Sequence, residues 1–166
     1  VMHILLSGNV RLEYEGFGDE HAPAILLIMG LGAQMLRWNV EICEGLVDAG
    51  YRVIRFDNRD CGLSTRFDDA PIPAVGDIIT ALKSGRTPTV PYTLDDMAAD
   101  CIGLLDALGI DAAHVVGISM GGAIAQLIAA HHAPRVRSLT CLMASSGNLA
   151  LPGPTPEAAA ALFAPL

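Results

Sequence analysis

The sequence predicts an α/β fold: a mainly parallel sheet with helices on both faces. Three observations predict it. Strand-like and helix-like segments alternate along the chain, which is the pattern of βαβ units. The segment Ala24–Met29 is apolar throughout, as a parallel strand buried on both faces should be. Hydrophobic residues make up 52% of the chain and charged ones only 17%, a balance that favours a buried core over disorder. At 166 residues the chain fits one domain and can bury such a core.

The elements follow in order. Residues 3–6 and 10–15 read as two short strands around Ser7-Gly8-Asn9, a hairpin turn signal. Val10, Leu12 and Tyr14 alternate with Arg11, Glu13 and Glu15, so one face is expected to be wet, and the pair is expected at an antiparallel edge. Gly30-Leu31-Gly32 ends the strand Ala24–Met29. Leu36–Ala49 carries Val40, Cys43, Leu46 and Val47 at helical spacing and stops at Gly50. Arg52–Phe56 is the next strand, leading into the polar loop Asp57–Ser64. Residues 67–92 hold several prolines and glycines and read as a surface excursion, with a short helical piece at Val75–Lys83. Thr93-Leu94-Asp95-Asp96 starts a helix, with a hydroxyl at the cap and an acid three residues on. That helix buries Met97, Cys101, Leu104, Leu105 and Leu108 and ends at Gly109. Ala113–Ile118 and Val136–Met143 are strands on either side of a helix at Gly122–His132 that is apolar nearly all round. After Ser145 the composition shifts to Gly, Pro and Ala, with one short helix at Glu157–Phe163.

Charge and composition exclude several functions. A formal net charge of −8 argues against nucleic acid and against an anionic membrane surface as partners. The apolar run Ala24–Met29 is too short to span a bilayer. The N-terminus lacks a basic region followed by a long apolar segment, so no signal peptide is expected. Cys43, Cys61, Cys101 and Cys141 form no zinc spacing. Three of them lie in apolar helix or strand patterns and read as small buried hydrophobes in a reducing, cytoplasmic setting; Cys61 lies in a loop and is the one to test for reactivity. There is no metal cluster, dinucleotide fingerprint or phosphate loop, so no cofactor is expected.

The chemistry centres on His114-Val115-Val116-Gly117-Ile118-Ser119-Met120-Gly121-Gly122. A β-branched run enters Gly-x-Ser-x-Gly and a small-residue helix leaves it, which is the setting of a nucleophile elbow. The sharp turn strains Ser119 and lifts its hydroxyl clear of the sheet. Gly117 and Gly121 leave room for strand and helix to approach, and Gly122 relieves the first helical turn. The backbone N–H of Met120 then lies at a helix N-terminus, where negative charge is favoured.

With the elbow, two further stretches complete a resemblance to the α/β-hydrolase family that covers the chain to about Ser145. Met29-Gly30-Leu31-Gly32 stands where that family has His-Gly-x-Gly after the third strand. Asp57-Asn58-Arg59-Asp60-Cys61-Gly62-Leu63-Ser64 looks like its Asp-x-Arg-x-x-Gly-x-Ser loop. The combination is similar to the aclacinomycin-methylesterase-like esterases within the family. The resemblance implies a serine hydrolase acting on a small-molecule carboxylic ester, with Ser119 as nucleophile. It implies backbone oxyanion donors at Met120 and at Leu31, or its neighbour Gly32. Gly30, Gly32 and Trp38 are candidates for lining the pocket, although packing near the oxyanion loop is the better reading of Trp38.

The chain departs from the family in two ways. Met29 replaces the histidine that mostly supports the loop. The family places its acid and catalytic histidine further along, in chain order Ser, acid, His. None of the histidines present substitutes for it: His3 and His21 lie in the edge region, His114 lies roughly 16 Å back along the strand, and His131 and His132 lie roughly 15 Å or more along the helix. Residues 1–145 are therefore expected to be the N-terminal part of a hydrolase core, and 146–166 the start of a cap, lid or linker. The C-terminal remainder, as a second chain or otherwise, is expected to supply the acid and the histidine. Asp57, Arg59, Asp60 and Ser64 read as loop residues that satisfy turn backbone. Two alternatives stay open: a cofactor-free perhydrolase or haloperoxidase, and a non-catalytic ligand-binding module on the same fold.

Overall fold

The strand without a polar residue lies inside the sheet. In a computed structural model, which describes residues 2–6, 9–148 and 150–162, β3 (Ala24–Ile28) is buried at all five positions. It pairs in parallel with β4 (Arg52–Phe56) on one side and with β5 (Ala113–Ile118) on the other. β1 (Met2–Leu5) and β2 (Arg11–Phe17) run antiparallel at one edge, and β6 (Val136–Leu142) runs parallel to β5 at the other. The sheet order is β1-β2-β4-β3-β5-β6. Ser7 and Gly8 of the expected hairpin turn lie outside the described residues. Asn9 has a left-handed φ of 63°, and the Leu6 N–H reaches the Val10 carbonyl at 2.7 Å.

Helices cover both faces. α3 (Leu94–Ala107) and α4 (Met120–His131) pack on one, burying Leu26, Ile28, Ile54, Phe56 and Val115 with Leu104, Leu105, Ile124 and Ile128. α1 (Val40–Asp48) covers the other, over Ile25, Leu27 and Val53. The period-two alternation of β3 thus feeds two separate cores. Each fully buried aliphatic side chain contributes about 1.5–3 kcal/mol. α3 begins with a capping box: the Thr93 hydroxyl accepts from the Asp96 N–H, and the Asp96 carboxylate accepts from the Thr93 N–H at 2.7 Å. The Thr93 N–H and hydroxyl, both donating to it, hold the Asp96 carboxyl below its usual range. α2 (Val75–Lys83) and α5 (Pro156–Leu162) complete the helices among the described residues.

Several expectations change. The Arg11–Glu13–Glu15 face of β2 is wet only in part: Arg11 is exposed and Glu15 half-buried, but Glu13 is 8% exposed. β2 lies between β1 and β4, and the Asp57–Ser64 loop brackets Glu13, taking its N–H on Ser64 Oγ and giving the Asp57 N–H to its carbonyl. Glu15 on the same face pairs with Arg55 of β4. Leu36–Ala49 divides into a 3-10 turn at Met35–Arg37 and α1, because the Asn39 side chain caps the Ile42 N–H. Cys43, Cys61 and Cys101 are buried, whereas Cys141, on the outermost strand of the described sheet, is exposed. No helix among the described residues is long and apolar enough to cross a membrane.

The topology fixes where a site can form. From β3 the chain passes through α1 to β4 on one side, then returns through α3 to β5 on the other. The order reverses at β3, so the carboxyl ends of β3 and β5 open a crevice between diverging loops, the usual ligand position in open α/β sheets. Gly30 follows one of these strands and Ser119 the other.

Candidate active site

Ser119 connects β5 to α4 with φ 55° and ψ −122°, a conformation L-residues rarely adopt. Its N–H donates to the Leu142 carbonyl at 2.8 Å, and its own carbonyl accepts from the Gly122 N–H at 2.9 Å. The strained turn is thereby held by β6 on one side and by α4 on the other. The Met120 N–H precedes this helical hydrogen-bond ladder, at the first position of α4. α4 starts two residues before the expected Gly122 because Ser119 itself occupies the cap position.

The glycines are dictated by contact. A Cβ at Gly117 would fall on the Gly121 carbonyl, and one at Gly121 on the Ile28 carbonyl. At Gly122 it would stand 2.5 Å from Ala144 Cβ. At Gly30 it would stand 3.1 Å from Ser119 Cβ and 3.6 Å from Ser119 Oγ. The Gly30-Leu31-Gly32 turn therefore abuts the serine, with Gly32 at φ 66° and the Leu31 side chain exposed.

Met120 lines two clefts, and Ser119 lines one of them. One, of about 530 Å³, runs along α4 and is lined by Ser119, Met120, Ala123, Leu127 and the Met143–Gly147 segment. The other, of about 400 Å³, is lined by Gly30, Leu31, Gly32, Tyr92, Met97 and Met120. Leu94 lines both. A larger cleft of about 610 Å³ lies between α2 and residues 86–91, and neither Ser119 nor the Gly30 loop lines it. Gly30, Leu31 and Gly32 line the second cleft together with Met120. Trp38 does not join them: it is buried against Ile25, Leu27, Met29, Cys43 and Val53 under α1, and lines neither cleft.

The Asp57–Ser64 loop rims the second cleft. Arg59 reaches past the turn backbone to Asp100 of α3, with N–O distances of 2.7 and 2.8 Å. Its guanidinium also lies over the rings of Phe67 and Tyr92. Burial, together with Asp60 beside its hydroxyl, pushes the Tyr92 phenol up to about 12. Asp60 has φ 62° and accepts the Phe67 N–H. Cys61 lines this cleft, but burial and Asp57 push its thiol up, away from the reactive thiolate. Tyr92, Leu94 and Gln126 were not singled out from sequence. The one signal was position: Tyr92 and Leu94 flank the Thr93 cap of α3, and Gln126 is the polar residue in an otherwise apolar helix.

No described histidine stands beside Ser119. His114 Nδ1 is 2.7 Å from Ser138 Oγ and its ring packs edge-on to Tyr51. His131 faces Asp95 at 3.8 Å on the exposed end of α4, and His3 is exposed on β1. No group of His, Cys, Asp and Glu among the described residues is placed to hold a metal.

Comparison with known proteins agrees with this geometry. A family profile for the alpha/beta hydrolase fold matches residues 23–164. The chain is 36% identical over 140 residues to rhodomycin D methylesterase DnrP of Streptomyces peucetius, across 84% of this chain and 41% of that protein. It is 32% identical over 131 residues to 3-oxoadipate enol-lactonase 2 of Acinetobacter baylyi, across 79% of this chain and 40% of that protein. A crystal structure of a hydrolase from Pseudomonas aeruginosa PA01 superposes with a TM-score of 0.69 at 27% identity, covering 92% of this chain and 48% of that one. The chain spans less than half the length of these relatives. With its strand order, its elbow and its second glycine loop, the chain belongs to the α/β-hydrolase family.

Proposed function

We propose that this chain carries the nucleophile and the oxyanion donors of a serine hydrolase that cleaves carboxylic esters. The observation that carries the reading is the strained Ser119 turn abutting the Gly30 loop at the crevice between β3 and β5. The similarity to a methylesterase and an enol-lactonase supports the substrate class.

Ser119 Oγ attacks the ester carbonyl carbon, and its proton passes to a general base. The carbonyl oxygen becomes an alkoxide that accepts hydrogen bonds from the backbone N–H of Met120 and of Leu31, with Gly32 as the neighbouring donor. Each such donor contributes about 10²–10³ in rate. The C–O bond breaks, the alcohol leaves with the proton held by the base, and an acyl-enzyme remains on Ser119. Water then repeats the sequence and releases the carboxylic acid. A serine without a base is a weak nucleophile, and no described histidine lines the Ser119 cleft. The base and its acid partner are therefore assigned to a remainder of the same protein outside residues 1–166, present as continuous chain or as a second polypeptide.

Reaction with a fluorophosphonate followed by intact-mass analysis tests this reading. Stoichiometric addition to the complete protein, lost in Ser119→Ala, is the expected result. A complete, folded protein that takes up no label overturns the hydrolase reading in favour of a ligand-binding module.

A further inference from the structure

The family resemblance leaves the oxyanion loop without its supporting histidine, since Met29 stands there and buries its side chain under α1. The loop is nonetheless held at both ends, by two consecutive residues that follow β4. Asn58, 4% exposed, donates from Nδ2 to the Met29 carbonyl at 3.0 Å. Asp57, 3% exposed, accepts the Met35 N–H on Oδ1 at 2.7 Å. These two bonds bracket Gly30–Gln34, the segment that contains the Leu31 and Gly32 donors.

The holding groups are themselves fixed. The Leu63 N–H donates to Asp57 Oδ2 at 3.2 Å. Gly62 lies so close that a Cβ there would fall into the Asp57 carboxylate. Ser64 Oγ donates to the Asp57 carbonyl at 2.6 Å and accepts the Glu13 N–H at 2.9 Å, tying the turn to β2. Between the two bracket points the loop has one internal bond, from the Ala33 N–H to the Gly30 carbonyl at 3.3 Å. Gly30 is also seated against Ser119, and Ala33 packs against the core under α1.

We infer that Asn58, together with Asp57, is a positioning residue for the oxyanion hole, holding the Leu31 and Gly32 N–H groups in register with Ser119 in place of the family histidine. The inference rests on the ester-hydrolase reading for its catalytic consequence. Asn58 borders the second cleft, but both side chains are almost fully buried and spend their polar groups on the loop backbone. Both act by fixing a donor whose value depends on placement, and a shift of about 1 Å can cost about 10² in rate. The effect belongs to the tetrahedral stage, so kcat falls while KM holds.

The experiment compares Asn58→Leu, which keeps the branched shape and deletes the donor, with Asn39→Ala, which removes the α1 cap remote from the crevice. Kinetics of the complete protein, normalised to folded fraction, are read beside the backbone amide NMR signals of Leu31 and Gly32. Asn58→Leu is expected to lower kcat by about 10–10² with KM unchanged and to move both amide signals. Asn39→Ala is expected to lower the melting temperature and leave kcat and those signals alone. Asn58→Ala makes the same comparison if the leucine does not pack. Unmoved amide signals, or moved signals with kcat retained, overturn the inference. A kcat loss that Asn39→Ala reproduces at equal melting temperature also overturns it. If the wild-type protein turns over no ester, moved amide signals leave the clamp standing and bring down only the ester reading.

Discussion

Glycines in two regions of this molecule behave in opposite ways. At the elbow, Gly117, Gly121 and Gly122 have no space for a Cβ, because β5, α4 and the end of β3 meet there. In α2, a Cβ at Gly76 would meet nothing within 4 Å, and the same holds for Gly85 just beyond it. The elbow is walled by buried residues. α2 carries Ile79 and Leu82 largely exposed and makes at most marginal contact with other helices and strands. Where several backbones converge, residue identity is imposed by packing. Where a segment lies on the surface, it is imposed by little more than local propensity.

The largest effect that separates the regions is chemical. On the proposed ester-hydrolase reading, Ser119→Ala in the complete protein should reduce ester turnover by about 10⁶-fold, as loss of a nucleophile does elsewhere. Stability should stay within about 0.5 kcal/mol in urea denaturation, since the side chain is exposed. Gly121→Ala comes next. The new methyl group would displace the end of β3, so a loss of about 3 kcal/mol or more is expected by the same measurement. A loss under 1 kcal/mol would mean that the crowding at the elbow relaxes easily.

Two smaller effects sharpen the boundary between the regions. Tyr92 lies where the 67–92 excursion meets the second cleft. Its folded-state pKa is raised to about 12 from 10, so the folded protein holds that proton more tightly than the unfolded chain. The associated stability is therefore complete below pH 10 and lost as pH rises from 10 to 12. Tyr92→Phe should remove that part of the alkaline decline, and should cost about 1 kcal/mol at neutral pH for the lost hydrogen bond. An alkaline stability profile that is the same in both proteins would contradict this. Gly76→Ala should have the smallest effect. Alanine favours the helix by about 1 kcal/mol locally, which hydrogen exchange of the α2 amides should show. The global unfolding midpoint should move by less than about 0.5 kcal/mol, because α2 is scarcely coupled to the core.

How far the sequence could be read followed the same division. β3 was legible because a strand buried on both faces must be apolar throughout. α3 was legible because Thr93 and Asp96 stand at capping spacing. The elbow was legible because its glycines leave a pattern. Trp38 was harder, because an indole packs a core as well as it lines a pocket, and only its place under α1 decides between them. Glu13 misled because alternation describes one strand by itself, whereas the Asp57–Ser64 loop closes over it from 51 residues away. Cys141 misled because an apolar pattern does not reveal which strand is outermost in the described sheet.

By itself, then, the sequence determined the kinds of element, the strained Gly-x-Ser-x-Gly turn and the glycine loop that faces it. All of these rest on local steric and hydrogen-bonding rules that act within a few residues. The tertiary structure alone decided that Asn58 and Asp57 bracket the Gly30 loop, that Arg59 is held by Asp100, and that Met120 joins the Ser119 cleft to the one at the Gly30 loop. Those are contacts between segments far apart in the chain. They exist only because the reversal of strand order at β3 brings the ends of β3, β4 and β5 to one rim of the sheet.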